Sequence, residues 1–124
     1  MRAAEGTELK YTVEDLVGGI REIKLKGDID ADSNHILEAI IREEITAESN
    51  KIILNLQHVG YISSVGLGTM VYGVTHARKL EGDFIICSVK EQPMKEIFDL
   101  VGLSKLTGIY ETREQAIAHY SGTP

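Results

Sequence analysis

The chain is short of several things that would each point to a different kind of protein. Of its 124 residues one is cysteine, Cys87, so no internal disulfide framework can staple it and folding rests on a hydrophobic core. A chain of this length buries about two-thirds of its unfolded surface, enough for one self-sufficient domain. Cys87 lies in the apolar run Phe84-Ile85-Ile86-Cys87, where a thiol acts as a small buried hydrophobe, and this sparing use of cysteine suits a reducing compartment. Long apolar runs are also missing. Nothing approaches the roughly 18 residues that a membrane span needs, and Met1-Arg2-Ala3-Ala4-Glu5-Gly6 has no secretory apolar segment, so a cytoplasmic protein without membrane contact is expected. Positive charge is in deficit, 13 Lys and Arg against 19 Asp and Glu for a net charge of −6. No basic patch stands out along the sequence, so nucleic acid and anionic lipid are not expected as partners.

The constellations that carry chemistry fail on spacing. Asp28, Asp30 and Asp32 imitate the start of a calcium loop, but Ser33 stands where the sharp turn needs glycine and Ala39 where the bidentate glutamate belongs. Gly66-Leu67-Gly68-Thr69-Met70-Val71 begins like a dinucleotide fingerprint and ends on a bulky Val71. No lysine follows to make a phosphate-binding P-loop. Ser64-Val65-Gly66 is half of a hydrolase nucleophile elbow whose first glycine is replaced by Ile62. His35, His58, His76 and His119 fall on different predicted elements without metal-ligand spacing, and read as surface residues or hydrogen-bonders at the core edge. No catalytic residue, no metal and no cofactor is expected.

What is present is an alternation of strand and helix signals. Leu9-Lys10-Tyr11-Thr12-Val13 and Ile20-Arg21-Glu22-Ile23-Lys24-Leu25 flank Gly18-Gly19 as a hairpin would, with Gly27 expected to break the second strand. Ser33 is available to cap a helix whose apolar face is Ile36, Leu37, Ile40 and Ile41. Lys51-Ile52-Ile53-Leu54-Asn55-Leu56 reads as a strand covered on both faces, central in the sheet. Leu67, Met70, Val71, Val74 and Ala77 then fall at helical spacing up to Gly82. Residues 84–89 read as a buried strand. Pro93 opens a helix with the stripe Met94, Ile97, Phe98 and Val101, closed by Gly102. Residues 106–110 are a further strand, and Thr112-Arg113-Glu114-Gln115 is a capping box before a last helix that buries Ala116, Ile117 and Tyr120. The pattern predicts one α/β domain over residues 8–120, with tails at 1–7 and 121–124. Its mixed β-sheet opens on an antiparallel hairpin and is covered by about four helices.

The most informative stretch is Tyr61-Ile62-Ser63-Ser64-Val65-Gly66-Leu67-Gly68, two hydroxyls at a strand-to-helix turn beside backbone donors that suit a phosphate. Ser63 reads first as an N-cap, and Gly66 and Gly68 as residues that let the turn approach the sheet.

With these elements in order, the chain resembles the STAS domain of anti-sigma factor antagonists, small bacterial proteins controlled by phosphorylation of one serine. The resemblance runs from about residue 8 to residue 120. It rests on Leu25-Lys26-Gly27-Asp28-Ile29-Asp30, on Ile53-Leu54-Asn55-Leu56, on Ser64, Gly66, Leu67 and Gly68, on Gly82 before Phe84-Ile85-Ile86, and on Gly102-Leu103. The family's turn usually reads Ile-Asp-Ser-Ser-Gly-Leu. Here Ile62-Ser63-Ser64-Val65-Gly66-Leu67 puts Ser64 at the phosphoacceptor place and Ser63 where the aspartate stands. The resemblance implies a serine-kinase anti-sigma factor as partner and a cognate phosphatase. It places the contact at Asp28, Asp30, Ser63, Ser64, Gly66, Leu67 and Gly68, and implies that phosphorylation at Ser64 switches binding off. The alternative it leaves open is an unphosphorylated adaptor of the same fold that docks to a transporter ATPase or a signalling assembly.

Overall fold

Gly18 and Gly19 both take positive φ, 90° and 77°, a region open to glycine and costly for other residues. They fold β1 (Lys10–Leu16) back on β2 (Ile20–Ile29) as the expected antiparallel hairpin, with Leu16 opposite Ile20 and Lys10 opposite Lys26. The computed structural model describes residues 9–90 and 92–122. Of the expected tails, all but Ser121 and Gly122 lie outside the described residues.

The chain continues through α1 (Asn34–Glu44), β3 (Lys51–Ile62), α2 (Ser64–Lys79), β4 (Asp83–Cys87), α3 (Gln92–Leu100), α4 (Leu103–Leu106), β5 (Ile109–Tyr110) and α5 (Arg113–Ser121). The five strands lie in sequence order, β2 through β5 parallel, with β3 at the centre as its apolar composition predicts. On one face Leu37 and Ile41 of α1, Met70 and Val74 of α2 and Phe98 of α3 join Ile23, Leu54, Phe84 and Ile86 in one core. On the other a smaller core gathers Ile20, Ile53, Ile85 and Cys87 under Ala116 of α5, with Ile117 and Tyr120 packed against it. Burial raises the Cys87 thiol above its ordinary pKa, keeping it an inert hydrophobe.

Helix α5 is fixed by the predicted capping box, in which Thr112 Oγ1 accepts from the Gln115 amide at 3.1 Å and Gln115 Oε1 accepts from the Thr112 amide at 3.2 Å. An ion pair without a sequence signal adds to it. Glu22 is fully buried, and its carboxylate accepts from Arg113 Nε at 2.8 Å and from Asn55 Nδ2 at 2.9 Å. A buried charge needs such partners, so this contact ties β2, β3 and α5 together.

Several elements depart from expectation. Gly27 does not end β2. With φ at 121° the strand runs on to Ile29, and the irregularity appears as register shifts against β3 on either side. Ser33 makes no capping bond to α1. Gly82 does follow α2, but the left-handed residue there is Glu81, at φ 66°. Glycine is needed at 82 because a Cβ would overlap the Asn50 carbonyl oxygen. The α3 stripe is narrower than its spacing suggests: Met94 and Phe98 are buried, while Ile97 and Val101 are 44% and 57% exposed. The strand expected at 106–110 is reduced to Ile109 and Tyr110, because α4 first forms after Gly102 and Thr107 Oγ1 donates to the Phe84 carbonyl. With α4 the helices among the described residues number five.

A candidate docking and modification site at the start of the second helix

The strands β2 and β3 are parallel neighbours, so the turns after them, 30–33 and 63–64, emerge side by side at one end of the sheet. The Ser63 amide donates to the Ile29 carbonyl at 2.7 Å and joins the two. Ser63 is the N-cap of α2, as the sequence predicts: its backbone is extended, its Oγ accepts from the Gly66 amide at 3.1 Å, and its carbonyl accepts from Leu67 at 3.0 Å. An aspartate caps equally well. Serine at 63 therefore keeps the local structure and removes one negative charge from beside Ser64.

Ser64 is the first helical residue and is exposed. Its hydroxyl has no hydrogen-bond partner among the described residues. With the Gly66 and Leu67 amides engaged by Ser63, those of Ser64 and Val65 are the first-turn donors left for solvent or an anion, at the helix end that favours negative charge.

The two glycines of the motif differ. A Cβ on Gly66 would stand 2.7 Å from Ile29 Cγ2 and 3.0 Å from Ile62 Cγ2, so glycine lets α2 press against the ends of β2 and β3. Leu67 is buried in the core beside it. These two residues support the turn from beneath and present no surface of their own. Gly68 has nothing within 4 Å of where a Cβ would lie, so close approach does not explain it.

Asp30 is committed to its own turn. Its Oδ1 accepts from the Ser33 amide at 2.9 Å and the Asp32 amide at 3.0 Å, and Ser33 Oγ accepts from the Asp30 amide at 3.0 Å and donates to the Asp28 carbonyl at 2.8 Å. The Ser33 amide, followed by the Ser33 hydroxyl, holds the Asp30 carboxyl below its ordinary pKa. Asp28 is exposed, with Oδ1 beside Gly60 near the end of β3.

Sequence periodicity missed the outward face of α2. Ser64, Val65, Gly68, Val71, Tyr72 and Thr75 are all exposed and none is charged. Val71 was expected in the core and is 39% exposed. A solvated helix face is normally polar or charged. Three turns without a charge, on a chain that is 26% charged, are the signal in the sequence that marks this face. A cleft of about 160 Å³ lined by Gly60, Tyr61, Ile62, Pro93, Met94 and Ile97 adjoins the end of β3. Among the described residues no group of three or more His, Cys, Asp and Glu is placed to hold a metal ion, and no helix is long and apolar enough to cross a membrane.

A mixed sheet with this order, and a capped serine turn leading into the second helix, define a known class. The STAS domain profile matches residues 13–116, and the chain belongs to the STAS domain family. Among its relatives is BtrV of Bordetella bronchiseptica, named as an anti-sigma factor antagonist, 25% identical over 112 residues that cover 90% of this chain and 95% of that protein. Among solved structures, an anti-sigma factor antagonist from Mycobacterium paratuberculosis superposes with a TM-score of 0.82 at 23% identity, over 92% of this chain and 95% of that one. The Bacillus cell fate determinant SpoIIAA in its phosphorylated form superposes with a TM-score of 0.67 at 22% identity, over 89% and 98%. The chain thus has the anti-sigma factor antagonist-like STAS fold.

Proposed function

We propose that this protein is a cytoplasmic anti-sigma factor antagonist. It docks a serine-kinase anti-sigma factor through the Ser64 turn and the uncharged face of α2, and phosphorylation at Ser64 releases it until a cognate phosphatase resets it. The observation that carries this reading is an exposed, unpartnered hydroxyl at the first position of a helix whose next three outward turns hold no charge. The anti-sigma factor antagonists among its relatives, one solved in a phosphorylated form, support the same assignment.

A phosphoserine carries about −1.5 to −2 charges at pH 7. On Ser64 it would lie inside the contact and at the end of the sheet that carries Asp28. A like-charge clash in an interface costs several kcal/mol, and about 2.8 kcal/mol already weakens binding roughly a hundredfold. In the free protein the start of α2 tolerates the anion through its dipole and its Ser64 and Val65 amides. The protein then switches without refolding, and its role is docking rather than catalysis.

Incubation with the partner kinase and ATP, followed by intact-mass measurement, tests this. Wild type gains one phosphate and Ser64→Ala gains none. A phosphate that persists in Ser64→Ala, or wild type that stays unmodified while binding the kinase, would overturn the assignment.

A further inference from the structure

We propose that the open half of the sheet binds a compact anion with adjacent phosphate groups, held by Lys10, Lys24, Lys26 and His58. Helix α5 packs on β3, β4 and β5 and reaches β2 only at Ile20 and Glu22, so among the described residues the same face stays open at β1 and at Lys24 and Lys26 of β2. The hairpin register sets Lys10 opposite Lys26 and Thr12 opposite Lys24, and the parallel register sets His58 beside Lys26. These residues, with Tyr11 and Leu25, line a shallow basin of about 370 Å³, within the usual range for small-molecule sites. The sequence shows no basic patch because its members come from three strands and meet only through the register.

Among the described residues no Asp or Glu lines the basin and none of the three lysines forms an ion pair. Glu14 and Glu22 are the next facing pair along the hairpin, and Glu22 is held by Arg113 and Asn55. Like charges directly opposite on a sheet repel and destabilise it, yet a chain of net charge −6 places Lys10 against Lys26. Lysine on an edge strand discourages strand pairing between molecules. That accounts for Lys10 but not for Lys24 and Lys26 on the interior strand β2. A bound anion accounts for all of them.

The spacing selects the kind of anion. Neighbouring strands stand about 4.8 Å apart and a two-residue step is about 7 Å, so the cationic groups converge on a patch the size of a few linked phosphates. An extended acidic peptide or a nucleic acid strand would outrun it.

Titration of the full chain with inorganic pyrophosphate at low salt, followed by amide chemical shifts and calorimetry, tests the site. Saturable binding is expected, with shifts confined to β1, β2 and the middle of β3. The double variant Lys24→Gln/Lys26→Gln should bind at least about tenfold more weakly, as expected on losing two charge-assisted contacts. Its melting temperature should equal or exceed that of wild type. Lys79→Gln, which removes the same kind of charge at the far end of α2, should bind as wild type does. Absence of saturable binding, equal loss in Lys79→Gln, or tighter binding of a glutamate-rich peptide or an oligonucleotide than of pyrophosphate would overturn the proposal.

Discussion

The turns after β2 and β3 lie side by side and use their polar groups in opposite ways. In the first, Asp30 and Ser33 are committed to the local backbone through four hydrogen bonds. In the second, Ser63 closes the helix end while Ser64, one residue on, keeps its hydroxyl free. Two adjacent serines thus divide the work of holding the turn and of meeting something outside. The same division separates Gly66, where a Cβ would meet Ile29 and Ile62, from Gly68, where it would meet nothing within 4 Å. A residue with a full set of internal contacts needs no external explanation. One whose type costs stability and returns no contact does.

The largest expected effect tests the outward members. Ser64→Asp should lower affinity for the kinase partner, and the phosphorylated protein should lower it about a hundredfold, with the circular dichroism spectrum unchanged. Wild-type affinity of the phosphorylated protein would place the contact elsewhere. Next, Gly66→Ala forces Ile29 or Ile62 to move and should cost about 1–3 kcal/mol in chemical denaturation. A neutral result would mean that the end of the sheet gives way easily. Ser63→Ala should cost about 1 kcal/mol by loss of the cap, while Ser64→Ala should leave the denaturation midpoint close to wild type. Equal losses would erase the distinction between the two serines. Gly68→Ala should raise stability by about 0.5–1 kcal/mol, the usual gain in a helix interior, and weaken binding of the partner. Stabilisation with unchanged binding would remove Gly68 from the contact.

The smallest effect concerns Asp30. Its carboxyl is held below the ordinary value of 3.8, so the folded state favours the ionised form. That stabilisation is complete well above the ordinary value and is lost as pH falls through the lowered one. Melting temperatures of wild type and Asp30→Asn, compared from about pH 6 to about pH 3, should differ at the upper end and converge at the lower. Curves that stay parallel would show that the charge of Asp30 contributes nothing to the turn.

Much of the scaffold was legible because it depends on local rules. The Gly18-Gly19 hairpin, the apolar central strand, the Thr112 capping box and the Ser63 cap each follow from residue types within a few positions of one another. What escaped depends on distant partners. Gly27 looks like a strand break until the ladder to β3 is there to absorb a bulge. Ile97 and Val101 share the spacing of Met94 and Phe98, but a nine-residue helix at the margin of the core buries only the side that holds Met94 and Phe98, and Val101 lies past its end. Val71 was placed in the core for the same reason, since period alone does not show how wide the covered stripe is. The Glu22–Arg113 pair joins residues at opposite ends of the chain, and neither has a local signal. Ser64 was found because glycine and serine at a strand-to-helix boundary are locally unusual. The face of α2 that adjoins it was not, because it is marked only by missing charge.

Strand β3 outruns its neighbour. It pairs with β4 only as far as Asn55, while β2 accompanies it to Ile62. The last stretch of the journey to Ser64 is therefore held like a cantilever, laced along one flank and bordered on the other by the cleft that Pro93, Met94 and Ile97 of α3 line. Amide hydrogens on the unlaced flank should trade with deuterium sooner than those nearer the centre of the sheet. A partner seated on the serine should slow that trade, so the overhang doubles as a gauge of occupancy that needs no label.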